Sequence, residues 1–320
     1  MDNTDYTFCT LFDKNYLYKG LALHQSLLAR CKAFILWILC MDEVTFSILE
    51  KMGLENVKLL TVEDFEDENL RKVKQERTVA EYCWTCTAPL IEYVMQEETG
   101  ASHITYLDAD LFFYNDPKSI YDELGGNSIL IIPHRYSPGR LAWEKTSGIY
   151  NVSMVIFRSD TYGRECLSWW KEKTLEECRL DPGAGKCGDQ KYLDDWPVRF
   201  RNVVVLRHKG GGLAPWNITN YQLSQIKGQV YVDADELIFY HFHSLQITNC
   251  GLFPQRPFVA ARGYQFTRKQ LALIYVPYVY ALRRIISDVK RISPGFDWGY
   301  NRLSWQDFIR DRRDNNLLLV

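Results

Sequence analysis

No run in this 320-residue chain approaches the ~20 consecutive apolar residues that a membrane-spanning helix requires. The nearest candidate, residues 271–282, is short and carries Pro277. A charge excess of one sign is also lacking, with 38 Lys+Arg against 40 Asp+Glu. No global basic field exists to attract nucleic acid, and phosphate binding has to come from a local site. Internal repeats and low-complexity linkers are missing. So is a second C-x-x-C beside the pair Cys83 and Cys86, which removes the usual zinc framework. That pair sits inside a helical stretch, residues 78–98, rather than at a helix start after a strand, so it reads as inert thiol. The nine cysteines are odd in number and scattered, the pattern of reduced thiols in a cytoplasmic protein. The polar, acidic start, Met1 to Tyr6, predicts no signal peptide. Aromatic residues are abundant at 14%. Sugar-handling proteins share this trait, and so do proteins with large aromatic cores.

The order of elements predicts an α/β domain. Residues 6–11 are β-prone, 17–29 helical, 34–40 a continuous apolar strand, 46–51 helical and 57–60 a strand. This alternation belongs to a mainly parallel sheet flanked by helices. The helical stretch 78–98 is expected to be interrupted at Pro89. Further strands are expected at 103–107, 129–132, 152–157, 203–206 and 237–242, and a helix at 166–177. Residues 179–187, rich in Gly, Pro and charge, predict a mobile loop. The division expected is a catalytic domain over residues 1–250 and a C-terminal helical extension over 251–320.

Asp108-Ala109-Asp110 ends the strand 103–107, at the rim where open α/β sheets bind ligands. Side chains two apart on an extended backbone point the same way, so both carboxylates can reach one hard cation, Mg²⁺ or Mn²⁺. The identical tripeptide Asp233-Ala234-Asp235 lies at a strand entry and reads as a turn. His241 and His243 end another strand and share a face, so either can complete the metal sphere.

In chain order, several segments resemble glycosyltransferase family 8, the GT-A-fold group that includes glycogenin and bacterial lipopolysaccharide galactosyltransferases. They are Thr10 to Tyr16 with Gly20 and Ser26-Leu27-Leu28, Tyr106 to Asp110, Ile149 to Val152, Gly188-Asp189-Gln190, Leu213 to Asn217 and Tyr240-His241-Phe242. The resemblance runs over most of residues 6–250. It implies a Rossmann-like GT-A domain and a divalent ion, Mn²⁺ or Mg²⁺, held by Asp108, Asp110 and His241. A nucleotide-diphosphate sugar, with UDP the expected base carrier, would be the donor. Tyr16, Asp13 and Thr10 would meet the base and Asn151 the sugar. Asp189 and Gln190 would stand at the reacting centre. Asp189 reads equally as a helix N-cap.

Two departures are visible. The family follows its histidine with Gly and then Lys-Pro-Trp, whose Lys grips the diphosphate; here Phe242-His243-Ser244-Leu245-Gln246 follows. Ser153 stands where the family has Gly. Lys209 is a candidate replacement for the missing Lys, with Gly211 letting backbone approach the diphosphate. Arg77 reads as a donor-phosphate contact or as part of a solvated charge run. Residues 275–292 mix aromatics with Arg283, Arg284, Lys290 and Arg291. They suit either a helix packed on the domain or a peripheral contact on the inner membrane face. The membrane reading would make the acceptor a lipid-linked glycan rather than a soluble one. Two other functions remain open: a phosphohydrolase using the Asp108/Asp110 pair, and a sugar-nucleotide-binding protein without catalysis.

Overall fold

The computed structural model describes residues 6–249 and 258–318. The domain division expected at residue 250 falls outside the described residues. Seven strands form the main sheet: β1 (Tyr6–Phe12), β2 (Phe34–Cys40), β3 (Val57–Thr61), β4 (His103–Leu107), β6 (Ile129–Pro133), β7 (Tyr150–Arg158) and β8 (Val203–Val205). Between β4 and β6 lies a short strand, β5 (Leu111–Phe113), outside this sheet. The order across the sheet is β8-β6-β7-β4-β1-β2-β3. All neighbours are parallel except β7, which runs against both β4 and β6.

Alternation along the strands divides the core in two. Phe8, Leu36, Ile38 and Ile132 face one side, together with the helices α1 (Leu17–Arg30) and α2 (Glu43–Met52). Cys9, Leu39, Ile131 and Phe157 face the other, under α3 (Val79–Glu97) and α4 (Thr161–Glu176). Burial of each large side chain contributes ~1.5–3 kcal/mol, which makes these two layers the main source of stability. Local signals set the helix ends. Asp42 accepts from Thr45 N at the start of α2, and Gly53 ends it in the left-handed region with φ 56°. Thr78 and Glu81 form a reciprocal capping box at the start of α3.

Several expectations change here. Pro89 does not interrupt α3, which runs unbroken with Pro89 buried. Packing on β1 and β4 outweighs the one lost backbone hydrogen bond. Residues 179–187 form a short hairpin, Leu180–Asp181 against Lys186–Cys187, anchored where Glu81 accepts from Leu180 N at 3.1 Å. Arg77 serves neither expected role: it donates to Thr174 O and Leu175 O at 2.7 Å each and to Thr85 Oγ1, closing the end of α4 onto α3.

The chain from 258 onward joins the same core. The helix α5 (Val276–Ile292) buries Tyr278, Val279, Leu282, Ile285 and Val289 in the layer that contains α1. Tyr114 donates to Ile274 O at 2.6 Å, and the hydroxyls of Tyr240 and Tyr275 lie 3.0 Å apart. The apolar face of this helix is therefore spent on packing. Among the described residues no helix is long and apolar enough to cross a membrane.

Candidate active site

The two aspartates converge by a turn, not by strand alternation. β4 ends at Leu107; Asp108 N then bonds Ser153 O at 2.8 Å, and Leu111 N returns to Asp108 O at 3.2 Å. The turn leads into β5, which pairs antiparallel with β9 (Phe239–His241), setting His241 opposite Leu111. Ser26 of α1 holds this strand, accepting from Phe113 N at 3.0 Å. The expected strand 237–242 is thus only three residues long, and its pairing with β5 brings the histidine to the aspartates.

His241 Nε2 lies 3.0 Å from Asp110 Oδ1 and 3.8 Å from Asp108 Oδ2. One ligand atom from each of the three residues fits within 4.8 Å. Burial opposes the charge on Asp110, but His241 and Lys19 hold it well below the ordinary carboxylate range. Burial, with Asp110 adding to it against the pull of His241, pushes Asp108 up. His241 is raised despite burial, because both carboxylates favour its charged form. Two carboxylates and one imidazole are a donor set that can hold a divalent cation. Among the described residues His241 Nδ1 is buried with no hydrogen-bond partner, and Nε2 is the atom aimed at the carboxylates. The donor set fits such an ion.

These residues open onto a cavity of about 670 Å³. At one end stand Asp13, Asn15 and Tyr16, where β1 gives way to α1. Asp13 Oδ1 accepts from Asn15 N at 3.0 Å and shapes that turn. Tyr16 is 43% exposed and has the Lys19 ammonium over its ring at 4.3 Å. Thr10 does not line the cavity; it is fully buried in β1. Lys209 and Gly211 do not line it either. Lys209 pairs with Asp233 at 2.8 Å, and Gly211 is packed on Leu206 and Ile120. Asp233, at φ 54°, turns the chain from Gln229–Val232 into Asp235–Glu236, as expected of the second tripeptide.

Asn151 lines the cavity, its Oδ1 accepting from Ser153 N at 2.9 Å and its amide 3.3 Å from His134 Nε2. Because β7 runs against β4, the start of β7 reaches the same rim as the end of β4. Gln190 donates to Ser147 O at 2.8 Å. Asp189 makes no N-cap bond and is 5% exposed. Burial and the Asp108 charge push its carboxyl up to about 7. Gly188 before it has φ 54°, and a Cβ there would lie 2.8 Å from the Trp84 ring. In the segment Leu213 to Asn217, Trp216 lines the cavity, whereas Asn217 is structural. Its amide donates to His134 O at 2.8 Å and Gly212 O at 2.9 Å.

Several cavity residues went unrecognised in the sequence: Trp84, His134, Tyr136, Trp143 and Tyr264. Lys19, 3.8 Å from Asp110, was also missed, although its i+3 spacing from Tyr16 placed it on the same helix face. The eight cysteines among the described residues are free, and burial raises the Cys83 thiol to about 12.

Two Bacillus subtilis proteins, both uncharacterized, align along nearly the whole chain. YfnF is 33% identical over 297 residues, covering 91% of this chain and 96% of its own. YfnD is 30% identical over 296 residues, covering 92% and 94%. The chain belongs to their family. No protein-family model matches it. Among solved structures, the galactosyltransferase LgtC, in complex with donor and acceptor sugar analogs, has a TM-score of 0.54 at 12% identity. The similarity covers 87% of this chain and 95% of LgtC. The apo glycosyltransferase GlyE of Streptococcus pneumoniae TIGR4 has a TM-score of 0.50 at 14% identity, over 89% of this chain and 64% of GlyE. The fold is therefore GT-A, as the family 8 resemblance implied.

Proposed function

We propose that the chain is a divalent-metal-dependent glycosyltransferase. It moves a hexosyl group from a nucleotide-diphosphate sugar, a UDP-sugar by the family 8 resemblance, to a glycan or lipid-linked glycan. The observation that carries this reading is the convergence of Asp108, Asp110 and His241 on one cavity of a GT-A fold.

Asp108, Asp110 and His241 would hold the ion, which when bound neutralises charge building on the leaving diphosphate. Tyr16 offers an aromatic face to the base, beside Asp13. Asn151, held at the rim by Ser153, offers its amide to sugar hydroxyls. Asp189 is buried and raised into the neutral range, so it can take a proton from an acceptor hydroxyl or balance positive charge at the anomeric carbon. Gln190 fixes the segment behind it through Ser147. Within this reading residues 1–250 carry catalysis and residues 251–320 are a C-terminal extension, a division supported by the packing of its helix α5 against α1. Cytoplasmic placement and a peripheral membrane contact through the extension belong to the same proposal. Their support is sequence character: scattered cysteines, and basic residues beside aromatics.

The test is release of nucleoside diphosphate from a panel of nucleotide sugars, with and without Mn²⁺. Mn²⁺-dependent release from donors of one base, lost in Asp110→Asn, supports the reading. Phosphate release from simple phosphomonoesters would replace it with a phosphohydrolase. Nucleotide binding without turnover across the donor and acceptor panels would leave a sugar-nucleotide-binding protein.

A further inference from the structure

Lys19 is a buried cation in a place where packing alone would favour an apolar side chain. It lies on α1, three residues after Tyr16, with its side chain 10% exposed. Its ammonium is 3.8 Å from Asp110 Oδ2 and 4.3 Å from the centre of the Tyr16 ring. Asp110 is also the carboxylate held 3.0 Å from His241. Burial lowers the Lys19 pKa, and Asp110 offsets part of that loss. An ammonium taken from water is unfavourable unless its surroundings use the charge. Tyr16 and Asp110 both line the cavity, whereas Lys19 stands behind them and does not. Any influence on a ligand must therefore run through its field and its neighbours, not through contact.

The charge balance gives that influence a sign. With His241 neutral, as binding an ion through Nε2 requires, two carboxylates exceed one ammonium by a single negative charge. A divalent ion reverses this and leaves a net positive centre, which attracts a diphosphate. Without Lys19 the same ion would merely neutralise the carboxylates.

We propose that Lys19 is a positioning residue that couples the two halves of donor binding. Its fixed charge weakens binding of the free ion and strengthens binding of the ion together with a diphosphate. This rests on the metal-dependent reading above. It also answers the missing Lys after His241, since Lys209 is engaged by Asp233 away from the cavity.

The test uses two probes, neither of which needs turnover. Mn²⁺ alone is titrated and followed by the paramagnetic resonance of the free ion. The preformed Mn²⁺–pyrophosphate complex is titrated by calorimetry. Lys19→Met, which keeps the length and drops the charge, is expected to bind Mn²⁺ about tenfold tighter. It is expected to bind the complex about tenfold more weakly. Lys19→Arg should keep both affinities near those of the parent. Lys19→Gln serves as a second uncharged variant should Lys19→Met melt well below the parent. A merely structural lysine would lower both affinities together with the melting temperature. Unchanged or weaker Mn²⁺ binding in a folded, uncharged variant overturns the proposal and leaves the metal site standing. Absence of Mn²⁺ binding in the parent and all variants overturns the proposal and the metal-dependent reading together.

Discussion

Replacing Asp189 by Asn should make the protein more stable and inactive at once. Its carboxyl is pushed from an ordinary 3.8 to about 7 by burial and by Asp108. An acid raised on folding adds a penalty that is absent below its unfolded value, grows as pH rises, and is complete above the folded value. Three units at 1.36 kcal/mol each give a penalty of about 4 kcal/mol at pH 8, against about a third of that at pH 5. Asparagine keeps the shape and carries no charge, so it relieves this cost. With an unfolding entropy of ~2.1 cal/mol/K per residue, the gain corresponds to a rise of about 6 °C in melting temperature at pH 8, and about a third of that at pH 5. Turnover should fall by ~10²–10⁴-fold, the usual worth of a proton-transferring group. Thermal melts of both proteins at the two pH values, beside donor turnover on the same preparations, make the measurement. A variant less stable than the parent at pH 8, or a gain equal at both pH values, would refute the reasoning. Normal turnover would remove Asp189 from the chemistry.

Asp108→Asn and Asp110→Asn should each abolish Mn²⁺-dependent nucleotide binding in a chain that still folds, with Asp110→Asn melting lower than the parent because the buried Lys19 loses its carboxylate, whereas Asp233→Asn should leave binding intact; calorimetry on the three variants decides it. His241→Ala should weaken Mn²⁺ binding by at least tenfold and His243→Ala by far less, because only His241 Nε2 stands 3.0 Å from Asp110; a larger loss at His243 would move the ligand by two residues. Gly188→Ala forces a side chain into the left-handed region and onto the Trp84 ring, so it should cost ~1–3 kcal/mol in chemical denaturation and slow turnover.

The parallel sheet was legible because apolar runs such as residues 34–40 announce a strand covered on both faces. Asp108, Asp110 and His241 were legible as types at strand ends. Their actual convergence was not, because it depends on a three-residue strand and on a turn that periodicity does not mark. Pro89 misled for a related reason: a local rule for helix breaking was overridden by tertiary packing. Lys209 was attractive beside a glycine run, yet the neighbouring Asp233 captured it. His134, Tyr136 and Tyr264 carry no local signal; their place in the cavity comes from β6, from the loop after it and from the chain beyond 258. Lys19 alone among the missed residues had a readable cue, its helical spacing from Tyr16.

The pairing of β5 with β9 also has a kinetic meaning. Leu111 and His241 are far apart along the chain, and closing so long a loop carries an entropic cost before any contact repays it. The strands β1 to β4 can associate through nearer contacts and bury their faces first. Ion affinity, which needs His241 beside Asp110, would then appear only when the last distant segment docks. During refolding, recovery of Mn²⁺ binding should trail recovery of far-ultraviolet ellipticity. A nascent chain ending before Phe239 would possess most of its sheet and none of its capacity to grip a cation through imidazole.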